Sequence, residues 1–175
     1  MMIAITGTPG TGKSRLAGEL RERGYEVLDI NEHVRKNGML EERDEPRDTY
    51  CVDIDALDLS LEPYRKKSLI FIEGHYSHSV ECDMVIVLRC SPDILAERLK
   101  ERGYSNSKIT ENVQAEILDV ILCEAAELDV PVCELDSTSD SVSAMADKTE
   151  EMIKGNTDKY RPGNVDWMGE VEKWF

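Results

Sequence analysis

Residues 7–14 read Gly-Thr-Pro-Gly-Thr-Gly-Lys-Ser and match the pattern GxxxxGK[ST] at every fixed position. An apolar run, Ile3 to Thr6, precedes this motif, and a helical pattern with Leu16 and Leu20 on one face follows it. The order strand, glycine loop, helix lets backbone N–H groups converge on a phosphate at the positive end of a helix. In this pattern the lysine reaches the β- and γ-phosphate oxygens, and the serine hydroxyl can ligate Mg2+. The motif therefore predicts a binding site for a nucleoside triphosphate with Mg2+.

Apolar runs and helical patterns alternate along the rest of the chain. The further predicted strands are Glu26 to Leu28, Leu69 to Ile72, Met84 to Leu88 and Val130 to Leu135, with Pro131 placing the last near an edge. The predicted helices are Lys13 to Arg23, Asn31 to Asn37, Asp53 to Lys66, Pro92 to Arg102, Ile109 to Leu128 and Ser139 to Ile153. Gly38 to Tyr50 has no apolar period and predicts an exposed loop. The alternation predicts a three-layer α/β fold with a five-stranded parallel sheet and the nucleotide at the carboxyl ends of its strands.

The charge balance limits the classes of partner. The chain has 175 residues, enough for one domain, and its 36 acidic residues against 21 Lys and Arg give a formal net charge of -15. Such a surface repels phosphate backbones and anionic lipid headgroups. Non-specific nucleic-acid binding and membrane binding are therefore not expected, and a small anionic ligand needs a local cluster of donors.

The cysteines and the N-terminus bear on the cellular compartment. Five cysteines, never closer than eight residues, predict neither a disulfide framework nor a CxxC zinc site. The apolar run at the N-terminus is too short for a signal peptide or a membrane span. We expect a cytoplasmic protein.

The phosphate motif does not say what receives the phosphoryl group, and the arginines are more informative. Four of them fall at or beside the predicted ends of elements around the motif: Arg35, Arg89, Arg98 and Arg102. Phosphoryl transfer between two anionic nucleotides needs such a set, because negative charge on the transferring group must be neutralised. For each arginine the alternative is an ordinary solvated helix face. An NKxD element, which guanine recognition by a small GTPase requires, does not occur.

Four blocks of the sequence resemble the adenylate kinase isoenzyme 6 family, also described as coilin-interacting nuclear ATPases. The blocks are the motif at 7–14, Asn-Glu-His-Val-Arg at 31–35, Ile-Phe-Ile-Glu-Gly-His at 70–75, and the long run 87–117. The similarity extends from Ile3 to about Ala126. By this resemblance the fold is of the nucleoside monophosphate kinase type with a short lid, and the reaction is ATP + AMP to 2 ADP, accompanied by ATPase activity.

The resemblance also implies roles for single residues. Those expected to contact Mg-ATP are Gly10, Gly12, Lys13, Ser14, Arg15 and, from a lid at about 101–111, Arg102. Residues 29–52 are the implied monophosphate-binding segment, with Arg35 on the AMP phosphate. The family's Asp-Xaa-His element is Glu73-Gly74-His75 here. The implied catalytic residues are Lys13, Glu73, His75 and Arg102, with the metal held by Ser14 and, through water, by Glu73.

A second function of a different class follows from the same resemblance. The family is associated with maturation of the small ribosomal subunit, including rRNA processing, and an acidic chain suits a basic ribosomal protein as its client. The alternative is therefore a ribosome-assembly ATPase whose kinase activity is secondary. We divide the chain into a kinase domain, 1–154, and a tail, 155–175, which holds four of the ten aromatic residues and is expected to pack on the domain or on a partner.

Overall fold

The computed structural model describes residues 1–44 and 49–175, with side chains at 1–39 and 52–175. The strands are β1 (Met2–Thr6), β2 (Val27–Asp29), β3 (Leu40–Asp44), β4 (Thr49–Val52), β5 (Ile70–Glu73), β6 (Met84–Arg89) and β7 (Val132–Asp136). The helices are α1 (Lys13–Glu22), α2 (Ile30–Lys36), α3 (Ile54–Ser60), α4 (Glu62–Arg65), α5 (Pro92–Glu101), α6 (Asn106–Ile117), α7 (Val120–Ala126), α8 (Val142–Ile153) and α9 (Val171–Trp174).

Five strands form one parallel sheet in the order β2-β5-β1-β6-β7. All side chains of β1, β5 and β6 are buried, as their continuous apolar runs predict for strands covered on both faces. β1 lies at the centre of the sheet, so the loop that follows it opens at the middle of the carboxyl edge. The predicted α/β fold with a five-stranded parallel sheet is confirmed.

Helices cover both faces of the sheet. Ile3 and Ile5 of β1 point to the face covered by α1 and α8, whereas Met2 and Ala4 point to the face that packs against α2, α3 and α7. Each fully buried Leu or Ile contributes about 1.5–3 kcal/mol to this core. A third apolar cluster joins α5 to α6 and includes Leu95, Leu99, Ile109, Val113 and Ile117. The third cluster places α6 beside the loop that follows β1.

Three details differ from the sequence-based assignment. The predicted loop over Gly38–Tyr50 contains strands β3 and β4, which pair antiparallel with a register shift between Leu40 and Arg43. Polar residues dominate this hairpin, so no apolar alternation marks it. The predicted helix from Ile109 to Leu128 is broken into α6 and α7 at Asp119, whose φ of 55° is left-handed. The helix predicted over 53–66 likewise forms two short helices, α3 and α4.

The tail, 155–175, packs against the domain. Tyr160 is buried and donates a hydrogen bond from its hydroxyl to Glu151 of α8 at 2.7 Å. Trp167 and Trp174 pack on the third apolar cluster, and the Gln114 side chain in α6 donates to the Trp174 carbonyl at 2.7 Å. The tail therefore covers the outer side of α5 and α6. Among the described residues, no helix combines the length and apolar character that crossing a membrane requires.

Candidate active site

A cleft of about 640 Å3 opens at the carboxyl edge of the sheet. The phosphate loop forms its floor, the segment after β5 forms one wall, and the turn between α5 and α6 forms another with α6 and α7. Its volume lies within the range of about 300–1,000 Å3 usual for small-molecule sites. Gly10, Gly12, Lys13, Ser14 and Glu73 all line it, so the structure brings these predicted residues together.

The phosphate loop has a backbone that only glycine adopts easily at Gly7, Gly10 and Gly12, and at the first two a side chain would also clash. Gly7 has a φ of 137°, and a Cβ there would lie 2.4 Å from the Leu88 carbonyl oxygen of β6. Gly10 has a φ of 96°, and its Cβ would lie 2.8 Å from Leu95 of α5. The loop is therefore pressed against β6 and α5, and its N–H groups precede the first turn of α1. This is the arrangement that binds phosphate at a helix N-terminus.

Lys13 lies within this loop and is almost completely buried. Its Nζ donates to the carbonyl oxygens of Gly7 at 2.7 Å and of Thr8 at 3.1 Å. The pKa of Lys13 is lowered to about 8, chiefly by burial; the carboxylates of Glu73 and Glu116 oppose the shift, and the positive charge of Arg102 adds to it. A bound phosphate would favour the charged form and supply the anionic partner.

Glu73 ends β5 beside this lysine. It is buried, and β-sheet pairing places it opposite Asp29 of β2. Burial raises the pKa of Glu73, as does the charge of Asp29, whereas Lys13 and a hydrogen bond from the Ser14 hydroxyl favour the carboxylate. The hydroxyl and carboxylate oxygens of Ser14 and Glu73 are thus neighbours. Oxygen donors of this kind fit Mg2+, which proteins usually bind through one or two carboxylates together with substrate phosphates.

Two histidines follow Glu73 and have different surroundings. His75 is exposed at the cleft wall, with its ring edge-on to Tyr76 at 4.5 Å between centroids. Partial desolvation lowers the pKa of His75 to about 4, and the nearby positive charges of Lys13 and Lys108 add to the shift, so the ring is neutral at pH 7. His78 is buried, with Nδ1 2.9 Å from the Thr6 hydroxyl and Nε2 3.1 Å from Glu124 of α7. These contacts could not be predicted from local sequence patterns, because Thr6 and Glu124 are distant from His78 along the chain.

The four arginines separate into two groups. Arg102, the C-cap of α5, is exposed and lines the cleft. Arg35 is exposed on α2, where its Nε donates to the Asn31 carbonyl at 3.2 Å; it lies outside the cleft lining, but its charge acts on Tyr76 at the cleft wall. The segment expected to bind a monophosphate, 29–52, falls partly outside the described residues. Arg15 is exposed in the first turn of α1 and also lies outside the lining.

The expectation that Arg89 and Arg98 belong to the phosphate site is wrong. Arg89 is fully buried and forms ion pairs with three carboxylates, those of Glu116, Asp119 and Glu134. Arg98 donates to Cys90 Sγ at 3.2 Å and to the Ser137 carbonyl at 2.9 Å. Both guanidinium groups are held by the protein's own acceptors beneath the cleft.

The two side walls of the cleft contain residues to which the sequence motifs assign no role. They include Tyr104, Lys108 and Asn112 on the lid side and Asn31 and Tyr76 on the opposite side. The Lys108 ammonium lies 5.6 Å from the centre of the Tyr104 ring, a cation–π distance. These side chains give the cleft aromatic and amide groups away from the phosphate loop.

Comparison with known proteins gives a consistent family. Residues 3–119 match a family model described as an AAA domain. A protein of Methanocaldococcus jannaschii called "Putative adenylate kinase" is 45% identical over 177 residues, covering 100% of this chain and 96% of the relative. A protein of Archaeoglobus fulgidus with the same name is 42% identical over 175 residues, covering 98% of this chain and 94% of the relative.

Solved structures share the fold at low sequence identity. A shikimate kinase from Bacteroides thetaiotaomicron has a TM-score of 0.59 at 15% identity and covers 88% of this chain and 98% of its own. A deoxyadenosine kinase from M. mycoides, solved with dCMP and dCDP, has a TM-score of 0.56 at 17% identity and covers 89% of this chain and 100% of its own. These likenesses show a P-loop kinase fold.

Proposed function

Because the chain belongs to the adenylate-kinase-like family of P-loop proteins, we propose that it transfers the γ-phosphoryl group of Mg-ATP to AMP and forms two ADP. The observation that carries this proposal is the meeting of the phosphate loop, the Ser14 and Glu73 oxygens and the exposed Arg102 in one cleft. A triphosphate on the loop would place its γ-phosphoryl group among these residues. The relatives' name supplies AMP as the acceptor.

Each residue has a role that follows from its chemistry. Lys13 exchanges the carbonyl oxygens of Gly7 and Thr8 for β- and γ-phosphate oxygens and neutralises the charge that develops on them. Arg102 does the same from the lid side, while Arg35 binds the AMP phosphate. Ser14 and, through water, Glu73 would hold Mg2+, which would supply positive charge to the phosphates when ATP is bound.

The transfer is a direct displacement. An oxygen of the AMP phosphate attacks the γ-phosphorus, a new P–O bond forms, and the bond to the β-phosphate oxygen breaks. One ADP arises from AMP and the other is the leaving group. The protein contributes position and charge, and no covalent enzyme intermediate is required.

We also propose an ATPase activity, as in the isoenzyme 6 subgroup that the Glu73-Gly74-His75 element resembles. The neutral imidazole of His75 lies at the cleft wall, where it can orient a water molecule towards the γ-phosphoryl group. Without AMP this water would be the acceptor, and ADP and phosphate would form. The free thiols of Cys82, Cys90, Cys123 and Cys133 fit the reducing cytoplasm in which we place both activities.

The net charge of -15 favours a second candidate function. An acidic ATPase can bind a basic protein of the small ribosomal subunit and use ATP turnover to release it during subunit maturation. ADP production from ATP, measured with and without AMP and with and without such a basic protein, separates the two candidates. Stimulation by AMP supports the kinase, and stimulation by the basic protein alone supports the assembly ATPase.

A panel of nucleoside monophosphates tests the kinase proposal. AMP, dAMP and CMP are each offered with Mg-ATP, and the corresponding diphosphate is measured by chromatography. We expect the natural chain to form ADP from AMP, and the Lys13→Ala variant to do so roughly 100- to 1,000-fold more slowly. Absence of any diphosphate across the panel would remove the kinase proposal.

A further inference from the structure

One buried carboxylate connects the phosphate loop to the helix that forms the opposite wall of the cleft. Glu116, in the last turn of α6, is 3% exposed. Its Oε2 accepts a hydrogen bond from the Thr8 hydroxyl at 2.5 Å. Its Oε1 accepts from Arg89 Nε at 2.8 Å and from the Cys90 backbone N–H at 3.1 Å. Both oxygens are thus occupied, and the negative charge is balanced by Arg89.

Thr8 is the residue on which the loop's internal hydrogen bonds converge. Its carbonyl oxygen accepts from the Thr11 N–H at 3.2 Å, from the Thr11 hydroxyl at 2.9 Å and from Lys13 Nζ at 3.1 Å. Fixing the Thr8 side chain therefore fixes the carbonyl from which Lys13 must depart to reach a phosphate. Glu116 holds that side chain from beneath the cleft.

The same helix also lines the cleft directly. Lys108, Glu111, Asn112 and Ala115 of α6 all face it, and Asn112 lies one helical turn before Glu116. Most of α6 thus forms the wall, and Glu116 in its last turn accepts a hydrogen bond from Thr8 of the phosphate loop. Glu116 itself is absent from the lining, whereas Thr8 lines it, so the hydrogen-bonded contact of Glu116 with the nucleotide site runs through Thr8; its charge also acts on Lys13.

We propose that Glu116 is a positioning residue, which sets the phosphate loop in its nucleotide-binding geometry through the Thr8 hydroxyl. This inference rests on the proposed function, since it takes the cleft to bind ATP and ADP. Without the anchor, the loop samples further conformations, and binding must restrict them, so affinity for phosphate falls. A hydrogen bond to a charged group predicts a loss of about tenfold or more.

The test compares threonine variants by calorimetric titration with Mg-ADP. Thr8→Val keeps the shape of the side chain but removes the donor, and we expect the dissociation constant for Mg-ADP to rise about tenfold or more. Thr8→Ser keeps the hydroxyl and should bind within about twofold of the natural chain. Thr149→Val is the matched control, because Thr149 is buried and donates to the Met145 carbonyl at 2.9 Å within α8, no residue of which lines the cleft. It should lower the melting temperature and leave the affinity unchanged.

A second measurement shows whether Thr8 acts through Glu116. In a Glu116→Gln background the carboxylate is gone, so adding Thr8→Val should weaken Mg-ADP binding less than it does in the natural chain. Equal weakening in the two backgrounds would overturn the inference, as would unchanged affinity in Thr8→Val or an equal loss in Thr149→Val. If the natural chain itself fails to bind Mg-ADP, the proposed function fails, a result distinct from each of these.

Discussion

The cleft and the cluster beneath it both bury charged side chains, but the cleft disfavours their charged forms whereas the cluster favours them. In the cleft, burial lowers the pKa of Lys13 to about 8 and raises the pKa of Glu73. Both shifts disfavour the charged forms. Beneath the cleft, burial also acts against the charge of Arg89, but Glu116, Asp119 and Glu134 outweigh it, and the pKa of Arg89 is raised.

The difference separates a binding site from a structural support. Arg89 has its full set of carboxylate partners within the protein and gains nothing from a ligand. Lys13 has carbonyl partners only, among the described residues, and gains an anionic partner when a phosphate binds. Incomplete pairing, rather than burial of a charge, is what marks the functional region.

Removal of Arg89 should have the largest effect on stability. Arg89→Met leaves three carboxylates without their cation, two of them buried, and should lower the free energy of unfolding by about 3–5 kcal/mol. Urea unfolding followed by circular dichroism measures this loss. The control is Arg161→Met, which breaks an exposed pair with Asp158 and should change stability little. Similar stability in the two variants would contradict the structural role of Arg89.

Removal of Lys13 should have the largest effect on activity. Lys13→Ala should lower both kinase and ATPase turnover roughly 100- to 1,000-fold, because a charge that stabilises the transferring phosphoryl group is lost. The melting temperature should not fall, because burying the charged ammonium of Lys13 disfavours the folded state. Lys13→Arg should also fail, because a planar guanidinium does not replace a compact ammonium in this loop. Natural turnover in either variant would remove Lys13 from the mechanism.

Arg35→Ala should affect one substrate. If Arg35 binds the AMP phosphate, its loss raises the KM for AMP roughly tenfold or more and leaves the KM for ATP nearly unchanged. Lys36→Ala is the control, because Lys36 is the next residue of α2 and pairs with Glu32 at 2.8 Å. Steady-state kinetics with each substrate varied decides this. Equal weakening for both nucleotides would place Arg35 elsewhere.

Nucleotide affinity should depend on pH through Lys13. With a pKa of about 8 in the free protein, the ammonium is present at pH 7 and mostly lost at pH 9. Phosphate binds the charged form, so affinity for Mg-ADP should fall about tenfold between these pH values. Calorimetric titrations with the natural chain and with Lys13→Ala measure the difference. The same pH dependence in Lys13→Ala would assign the titration to another group.

Substitutions at the end of β5, Glu73, and just after it, His75, should separate phosphoryl transfer from hydrolysis, with the smallest effects. His75→Ala should lower ATP hydrolysis without AMP more than ADP formation with AMP, by a factor of several, because only hydrolysis needs an oriented water molecule. Glu73→Ala should lower both activities through loss of metal order. Parallel assays of the two variants are the measurement, and an equal loss of both activities in His75→Ala would leave that residue without a role in water orientation.

Much of the fold could be predicted because its signals are local. The motif at 7–14 and the apolar runs of β1, β5 and β6 can each be recognised from consecutive residues. In the structure these three runs are buried strands of the parallel sheet. The β3–β4 hairpin carries polar residues and gave no such signal. The break at Asp119 was also missed, because its carboxylate pairs with Arg89, 30 residues earlier.

The site was predictable only where a motif marked it. Lys13 and Ser14 follow from the phosphate motif, whereas Glu73 was implied by the family resemblance. The contact of Glu116 with Thr8 could not be predicted, because the two residues lie 108 positions apart in the sequence. The buried state of Arg89 was equally hidden, since an arginine at a strand end looks the same in sequence whether it meets a ligand or three carboxylates. Long-range pairing decides such cases.

The stoichiometry of ADP formation shows whether AMP is the phosphoryl acceptor. The natural chain is incubated with excess Mg-ATP and a limited, measured amount of AMP, and ADP and AMP are followed together by chromatography. We expect two ADP to form for each AMP consumed. This ADP should form much faster than by hydrolysis without AMP, and Lys13→Ala should slow the reaction roughly 100- to 1,000-fold. ADP formation at one rate with and without AMP, while AMP stays unconsumed, would contradict the kinase proposal.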